Sequence, residues 1–345
     1  LDQPAKEAGI ILLNELGLDP GIDHMSAMRI IDHIHEKQGA VIEFYSFCGA
    51  LPAPEAIDNP FGYKFSWSPK GVLIAGTYDA KYLKDGEIVN IAGADLFKNP
   101  IIVNCPDAGI LEVYPNRDSL PYRELYGIPE SRTLLRGTFR NQGWCEILDY
   151  MKSIGLFSFD QVDMTGMTYA DLMNHGTTAP LHHGTTAPRH HGTTAPLHHG
   201  TTPPYISALQ WLGLYEDIPM NRYKASPFDV VSDMMIGKMS LKPEERDMIV
   251  MQHTFLAGYS DGRKEVIRSR MVDFGIPGGD TAIARTVALP AAMGVEMILQ
   301  GEIRETGVHI PVIPAIYNPI LDRLETMGIR MEEEYGLSPD ENIHA

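Results

Sequence analysis

Cationic side chains are scarce in this sequence: 28 Lys and Arg stand against 45 Asp and Glu, a formal net charge of −17. That deficit gives no long-range attraction for a polyanion and argues against nucleic acid or an anionic membrane as the main partner. An anionic ligand must be met by a locally basic pocket. Cysteine is scarce too. Cys48, Cys105 and Cys145 are odd in number and widely spaced, which excludes a disulfide framework and a Cys-x-x-Cys metal site and points to a reducing, intracellular compartment. No unbroken run of about 18 apolar residues occurs, and the opening residues are acidic and amphipathic where a secretory leader would be basic and then apolar. The sequence therefore predicts neither a membrane span nor a secretory route. It opens on Leu1, which reads as a processing site or a boundary within a longer chain.

What is present is a chain of 345 residues with 44% hydrophobic content, enough for two ordinary domains with real cores. Ile10 to Asn14 has the length and apolarity of a buried strand. Asp23 to Gln38 predicts a helix capped by Asp23 and closed by Gly39, with Met25, Met28, Ile31 and Ile34 at three-residue spacing; His33 and His35 fall on its solvated side. Strands are predicted at Val41–Phe47, Glu87–Ala92, Ile101–Asn104 and Thr133–Arg140, a Pro- and Gly-rich loop at Cys48–Pro60, and a helix at Trp144–Ile154. Beyond residue 205, Ile206–Leu214 and Pro227–Ile236 read as helices. Asp247–Phe255 and Lys264–Phe274 read as a hairpin around Ser260-Asp261-Gly262-Arg263. A helix from an Asp280 cap to Gln300 is expected to kink at Pro290, and Asn318-Pro319 to open a last one that closes at Gly328.

Between His175 and Pro204 the octad His-Gly-Thr-Thr-Ala-Pro-Leu-His recurs with small changes from His183 and His191. Such a tract, nearly free of large apolar side chains, reads as a repeat-expanded linker unable to form a core. The doublets His182-His183, His190-His191 and His198-His199 could bind a soft divalent metal only adventitiously, so no metal site is expected.

Two basic segments stand out: Tyr114-Pro115-Asn116-Arg117-Asp118-Ser119 and Arg136-Gly137-Thr138-Phe139-Arg140. Guanidinium forks pair bidentately with carboxylates, so convergent arginines would suit a substrate with several carboxylates; pairing of Arg117 with Asp118 on the surface is the competing reading. A third element is the turn Glu15 to His24, placed after a strand, where open α/β sheets bind ligands. Asp19 and His24 become candidates, against a turn in which Asp23 caps the helix and Asp19 bonds backbone amides.

Glu15–His24, Cys48–Glu55, Gly62–Pro69, Tyr114–Ser119 and Arg136–Arg140, in that order, closely resemble the saccharopine dehydrogenase (L-glutamate-forming) family, and the resemblance resumes from Trp211 to Gly328. It implies an α/β fold: a mixed-sheet substrate and dimerisation domain with a helical insertion, plus remnants of a Rossmann domain. The corresponding partition is 1–23 for the last part of the cofactor domain, 24–275 for the substrate domain interrupted at 156–225 by the insertion with its repeat at 175–204, and 276–345 for C-terminal helices partly returning to the cofactor domain. The activity it implies is NAD- or NADP-dependent interconversion of saccharopine with L-glutamate and aminoadipate semialdehyde through an imine, by a homodimer, in the cytoplasm rather than the mitochondrion. Leu18, Asp19, Pro20 and Gly21, with Ser66, Trp67 and Ser68, are implied to line the nicotinamide site. Arg117, Thr138, Phe139 and Arg140 are implied to hold the substrate, Asp19 to orient the amine or water as the catalytic group, and Cys48 to pack rather than react.

One departure bears on this. The sequence has no Gly-x-Gly-x-x-Gly turn after a strand; Gly275, Gly278 and Gly279 have the wrong spacing. It therefore reads as lacking most of the N-terminal Rossmann domain. Two alternatives follow: a catalytically silent dimerisation or ligand-binding module, and an imine reductase resembling the carboxy-polyamine synthases.

Overall fold

The structure is a computed structural model that describes residues 1–175 and 202–340, with backbone alone at 174 and 175. Residues 176–201, which hold most of the repeat tract and its three His doublets, and the last five residues lie outside the described part. In chain order the elements are α1 (Asp2–Glu7), β1 (Ile11–Leu13), α2 (Ile22–Glu36), β2 (Gly39–Pro52), α3 (Pro69–Ala75), β3 (Ala80–Lys84), β4 (Glu87–Ile91), β5 (Ile101–Cys105) and β6 (Gly109–Pro115). Then come α4 (Pro121–Leu125), β7 (Thr133–Asn141), α5 (Trp144–Ser153), β8 (Val162–Asp163), α6 (Tyr169–His175), α7 (Pro204–Leu212), β9 (Lys224–Ala225) and α8 (Pro227–Met239). Last are β10 (Asp247–Tyr259), β11 (Lys264–Phe274), α9 (Ala282–Leu299), β12 (Gly307–His309), α10 (Pro314–Thr326) and β13 (Glu332–Leu337).

Nine strands form one mixed sheet in the order β13-β11-β10-β2-β7-β3-β4, with β6 joining the second half of β7 and β5 joining β6. Only β2 and β7 run parallel within it. The expected mixed α/β class is what the chain adopts. One face of the sheet buries Phe47, Leu135, Phe139 and Trp144 with residues of α5, α7 and α8; the other buries Phe44, Leu134, Met251 and Phe255 under α2, α9 and α10. Separately, β1 and β12 pair in parallel as a two-stranded sheet.

Several boundaries differ from the sequence expectation. β2 runs to Pro52, so its last five residues replace the start of the expected loop: Gly49 packs so closely on Phe139 that a Cβ would come within 2.7 Å, and the antiparallel pairing with β10 continues to Pro52 opposite Asp247. β10 likewise continues to Tyr259. β3 and β6 were not anticipated, being short and interrupted by polar residues. Gln38, with φ of 58°, makes the left-handed turn after α2, and Gly39 already starts β2.

Thr281 rather than Asp280 caps α9, its hydroxyl accepting from the Ala284 amide at 3.2 Å. α10 begins at Pro314, so Pro319 lies inside the helix instead of opening it. α9 also has the length and mean hydropathy, 1.5, of a membrane span despite Arg285 and Glu296, which a search for unbroken apolar runs passes over. Its buried residues Ala282, Thr286, Pro290, Met293, Gly294 and Met297 form one helical stripe against the protein.

Candidate functional site

The parallel pair β2 and β7 runs in register from Glu43 opposite Thr133 to Cys48 opposite Thr138. Alternation along β7 puts Arg136, Thr138 and Arg140 on one face and Leu135, Gly137 and Phe139 on the other. The turn before α2 closes over the same end of the strands. Gly17 N–H donates to the Pro20 carbonyl at 3.1 Å, the Asp19–Pro20 peptide is cis, and Gly21 has φ of 150°. A Cβ on Gly21 would lie 2.1 Å from the Gly17 carbonyl oxygen, so no other residue fits there.

This turn delivers Asp19 to Arg136, whose Nη2 donates to Asp19 Oδ1 at 2.5 Å and to Asp23 Oδ2 at 2.8 Å. Asp23 is therefore not the helix cap the sequence suggested. Gly21 occupies that position, and its amide donates to Asp23 Oδ1 at 2.5 Å. Nor does Asp19 bond backbone amides; its partner is a guanidinium.

His24 is fully buried, held at 2.8 Å by the Tyr126 hydroxyl on Nδ1 and at 2.8 Å by Glu15 Oε2 on Nε2. Behind it, His253 Nε2 lies 2.8 Å from Ser26 Oγ, and burial pushes the His253 imidazole down to about 4. Burial also raises Asp19 above the ordinary carboxylate range. For Asp23 burial alone would do the same, but His24, Arg136 and the Gly21 amide outweigh it and hold the group low. Burial, with the charges of Asp19 and Asp23, lifts the Cys48 thiol well above its usual value, which keeps it neutral and unreactive.

Cys48 lies within electrostatic reach of both Arg136 and Arg140. Arg140 is buried, donates through Nη1 to the Phe139 carbonyl at 2.8 Å, and sits among the rings of Tyr63, Tyr114 and Trp144 at 5.0, 5.7 and 5.6 Å. Among the described residues no carboxylate pairs with it, and its Nε and the Trp144 indole nitrogen have no hydrogen-bond partner. A desolvated cation surrounded by unused donors is costly unless an anion joins it.

Arg117 is exposed, with φ of 49°, and its guanidinium lies over the Tyr78 ring at 4.7 Å. Asp118 pairs instead with Lys81, at 3.6 Å, so the expected local Arg117–Asp118 pair does not form. Thr138 is half-buried beside Tyr114. The Phe139 ring is fully buried, edge-on to Phe47 at 5.6 Å, in the same cluster as Tyr63, Tyr114 and Trp144, so that residue can offer a ligand only its backbone. Ser66, Trp67 and Ser68 form the bend before α3; Trp67 is exposed and neighbours the Tyr63 hydroxyl, and the buried Ser66 Oγ has no partner.

Sequence reading gave no role to Tyr63 and Tyr114, which lie in segments it singled out, and did not point to Tyr122, Tyr126, Trp144 or His253, whose positions depend on contacts distant in sequence. It counted Arg136 among arginines that could converge on substrate carboxylates, whereas Arg136 pairs with Asp19 and Asp23. The two-residue alternation from Arg136 to Arg140 was the available signal.

The sequence profile of the saccharopine dehydrogenase C-terminal domain matches residues 17–329. The chain belongs to the saccharopine dehydrogenase family. It is 34% identical over its whole length to the saccharopine dehydrogenase [NADP(+), L-glutamate-forming] of Pyricularia oryzae, covering 76% of that protein. It is 40% identical over 95% of its length to the mitochondrial alpha-aminoadipic semialdehyde synthase of Bos taurus, of which it spans 36%. The apo saccharopine dehydrogenase (L-Glu forming) of Saccharomyces cerevisiae superposes with a TM-score of 0.83 at 33% identity, over 95% of this chain and 75% of that one. These relatives are oxidoreductases, and the fungal names include a nicotinamide cofactor.

Proposed function

We propose that this chain binds saccharopine through Arg140 and Arg117 and serves its NADP-dependent oxidation to L-glutamate and aminoadipate semialdehyde, a step of lysine metabolism. The observation that carries the reading is Arg140: a buried guanidinium with no carboxylate partner, ringed by unused donors, is what a substrate carboxylate would complete. NADP is preferred to NAD because the fungal relatives carry NADP(+) in their names.

The residues present suit the nicotinamide end of that cofactor. The turn Leu18, Asp19, Pro20 and Gly21 lies beside Arg136, and Ser66 supplies an unpartnered hydroxyl next to Trp67 and Ser68. Bound NADP supplies the hydride acceptor. The chain's own residues do the rest: Arg140 and Arg117 fix the carboxylates, Thr138 borders them, and Asp19 faces the amine.

For the phosphates the sequence has no glycine-rich cradle, and side chains at Ile10, Leu12, Val287, Val295, Leu299 and Val308 are exposed around β1, β12 and α9. Parallel strands are normally covered on both faces. A dinucleotide-binding layer seated on this apolar area is the arrangement we propose. The missing cradle is also what favours the other reading, a ligand-binding module without redox activity. A homodimer in a reducing compartment completes the proposal, in keeping with three buried free thiols.

Calorimetric titration of the chain with saccharopine, L-glutamate and NADP is the test. Saccharopine should bind and NADP should bind weakly; failure of saccharopine to bind at millimolar concentration would overturn the reading. Binding without turnover, after a Rossmann domain from a fungal relative is joined to the chain, would favour the silent module.

A further inference from the structure

Arg117 is held open rather than neutralised. Its φ of 49° lies in the left-handed region, which a residue with a Cβ adopts only where its surroundings compel it. Here β3 does so: the Lys81 amide donates to the Arg117 carbonyl at 2.7 Å, and the Lys81 carbonyl accepts from the Ser119 amide at 2.8 Å. The neighbouring Asp118 is drawn off to Lys81 Nζ, at 3.6 Å, and to the Leu120 amide, at 2.9 Å. Among the described residues no carboxylate pairs with the Arg117 guanidinium, and its support is the Tyr78 ring at 4.7 Å.

Tyr78 is 44% exposed, yet the turn that carries it is fixed from behind. The turn at Gly93–Asp95 packs so tightly there that a Cβ on Gly93 would lie 2.1 Å from the Thr77 carbonyl oxygen. The Gly93 amide donates to Asp79 Oδ1 at 2.7 Å, and Lys152 Nζ donates to the carbonyls of both Gly76 and Gly93. An exposed ring on a turn tied at so many points is a support, not loose surface.

Arg117 and Arg140 also stand apart along the sheet. The Asn116 amide donates to the Arg136 carbonyl at 2.8 Å, so Arg117 starts level with Arg136, and the strand from there to Arg140 covers roughly 13 Å. Each guanidinium is pinned against its own rings, Arg117 on Tyr78 and Arg140 among Tyr63, Tyr114 and Trp144, which keeps the two from converging. Clamps on such a baseline suit carboxylates at the two ends of an extended substrate. A short dicarboxylate engages one of them.

We propose that Tyr78 is a positioning residue: its ring holds Arg117 as the distal of two carboxylate clamps, and thereby favours a long polycarboxylate over a short one. This rests on the saccharopine reading above. Attraction of a cation to a ring face works without burial, and it leaves the guanidinium edge free to fork onto a carboxylate.

The test is calorimetric titration of the full chain with saccharopine and with L-glutamate, in wild type, Tyr78→Ala, Tyr78→Phe, Arg117→Ala and the Tyr78→Ala/Arg117→Ala double variant. Tyr78→Ala should weaken saccharopine about two- to fivefold, the scale of an exposed cation–π contact, while the affinity for L-glutamate holds. Tyr78→Phe, which keeps the ring, should restore most of that loss. Once Arg117 is alanine, removing the ring should cost nothing more. An equal loss for both ligands, a loss that persists without Arg117, or a Phe variant no better than Ala overturns the proposal. A readout independent of substrate is the proton NMR of the Arg117 side chain in the free chain, which the Tyr78 ring should shift upfield in wild type and not in Tyr78→Ala. Absence of that shift in wild type overturns this proposal alone, whereas a shift without saccharopine binding overturns the functional reading.

Discussion

The Arg140 guanidinium lies 5.0 Å from the centroid of the Tyr63 ring, and among the described residues Arg140 Nε has no hydrogen-bond partner. The contact is cation–π, which tolerates burial of the charge but leaves in-plane donors free. A polar cluster that spends so little on itself is arranged for something else.

Arg140→Lys should therefore weaken saccharopine by about ten- to a hundredfold, roughly 1 to 3 kcal/mol, through loss of the fork on a desolvated carboxylate. Arg117→Lys should cost less, because Arg117 is exposed. Calorimetric Kd values on the two variants check both, and silence in Arg140→Lys would assign that residue to the fold instead.

Tyr63→Phe separates binding from stability. Because the buried hydroxyl has at most the neighbouring Trp67 as a partner, removing it should change stability by no more than about 1 kcal/mol. Saccharopine affinity should fall at the same time. Urea denaturation and calorimetry on one preparation report both quantities.

All three thiols are buried and free, with Cys48 raised well above and Cys105 pushed up to about 11, in each case chiefly by burial. Ellman's reagent at pH 8 should find essentially no reactive thiol in the native chain and three after unfolding. Rapid labelling of Cys48 in the native protein would contradict its placement.

With the folded His253 imidazole near 4 and the unfolded one near 6.5, the unfolded state binds more protons between those values. Stability present above about pH 6.5 is then lost as pH falls towards 4, at no more than about 1.4 kcal/mol per unit. Asp19, raised in the fold, works in the opposite sense just above its unfolded value of 3.8. The useful quantity is thus the difference between wild type and His253→Gln in urea denaturation at pH 7, 5.5 and 4.5; His253→Gln should lose the slope.

Much of the scaffold could be read from residues in order. The hairpin of β10 and β11 declared itself by long apolar strands around Asp261-Gly262, and α5 by its apolar stripe and closing Gly155, because both depend on neighbours near in sequence. β2 was cut short because Gly49 and Pro52 look like loop residues until Phe139 and β10 are in place. Within the candidate site, the turn at Asp19 was legible through its glycines. Its partner was not: Arg136 is 117 residues away, and the sequence offered Asp118, next door to Arg117, as the obvious acid for an arginine. Burial decided the remaining cases, since only packing distinguishes Arg140, which lacks an acid, from Arg136, which has two.

The parallel pairing of Ile11–Leu13 with Gly307–His309 joins segments that are nearly three hundred residues apart. Closing so long a loop is entropically expensive and is repaid here by three residues a side. Beside the packing of α10 on α2, that small sheet, with three residues a side, is expected to open more readily than the nine-stranded sheet. Whatever settles on the apolar side chains around it does more than cover them: it locks the two distant segments together, and with them the turn at Asp19 that follows β1. Occupancy of that surface is thereby expected to steady the turn that carries Asp19.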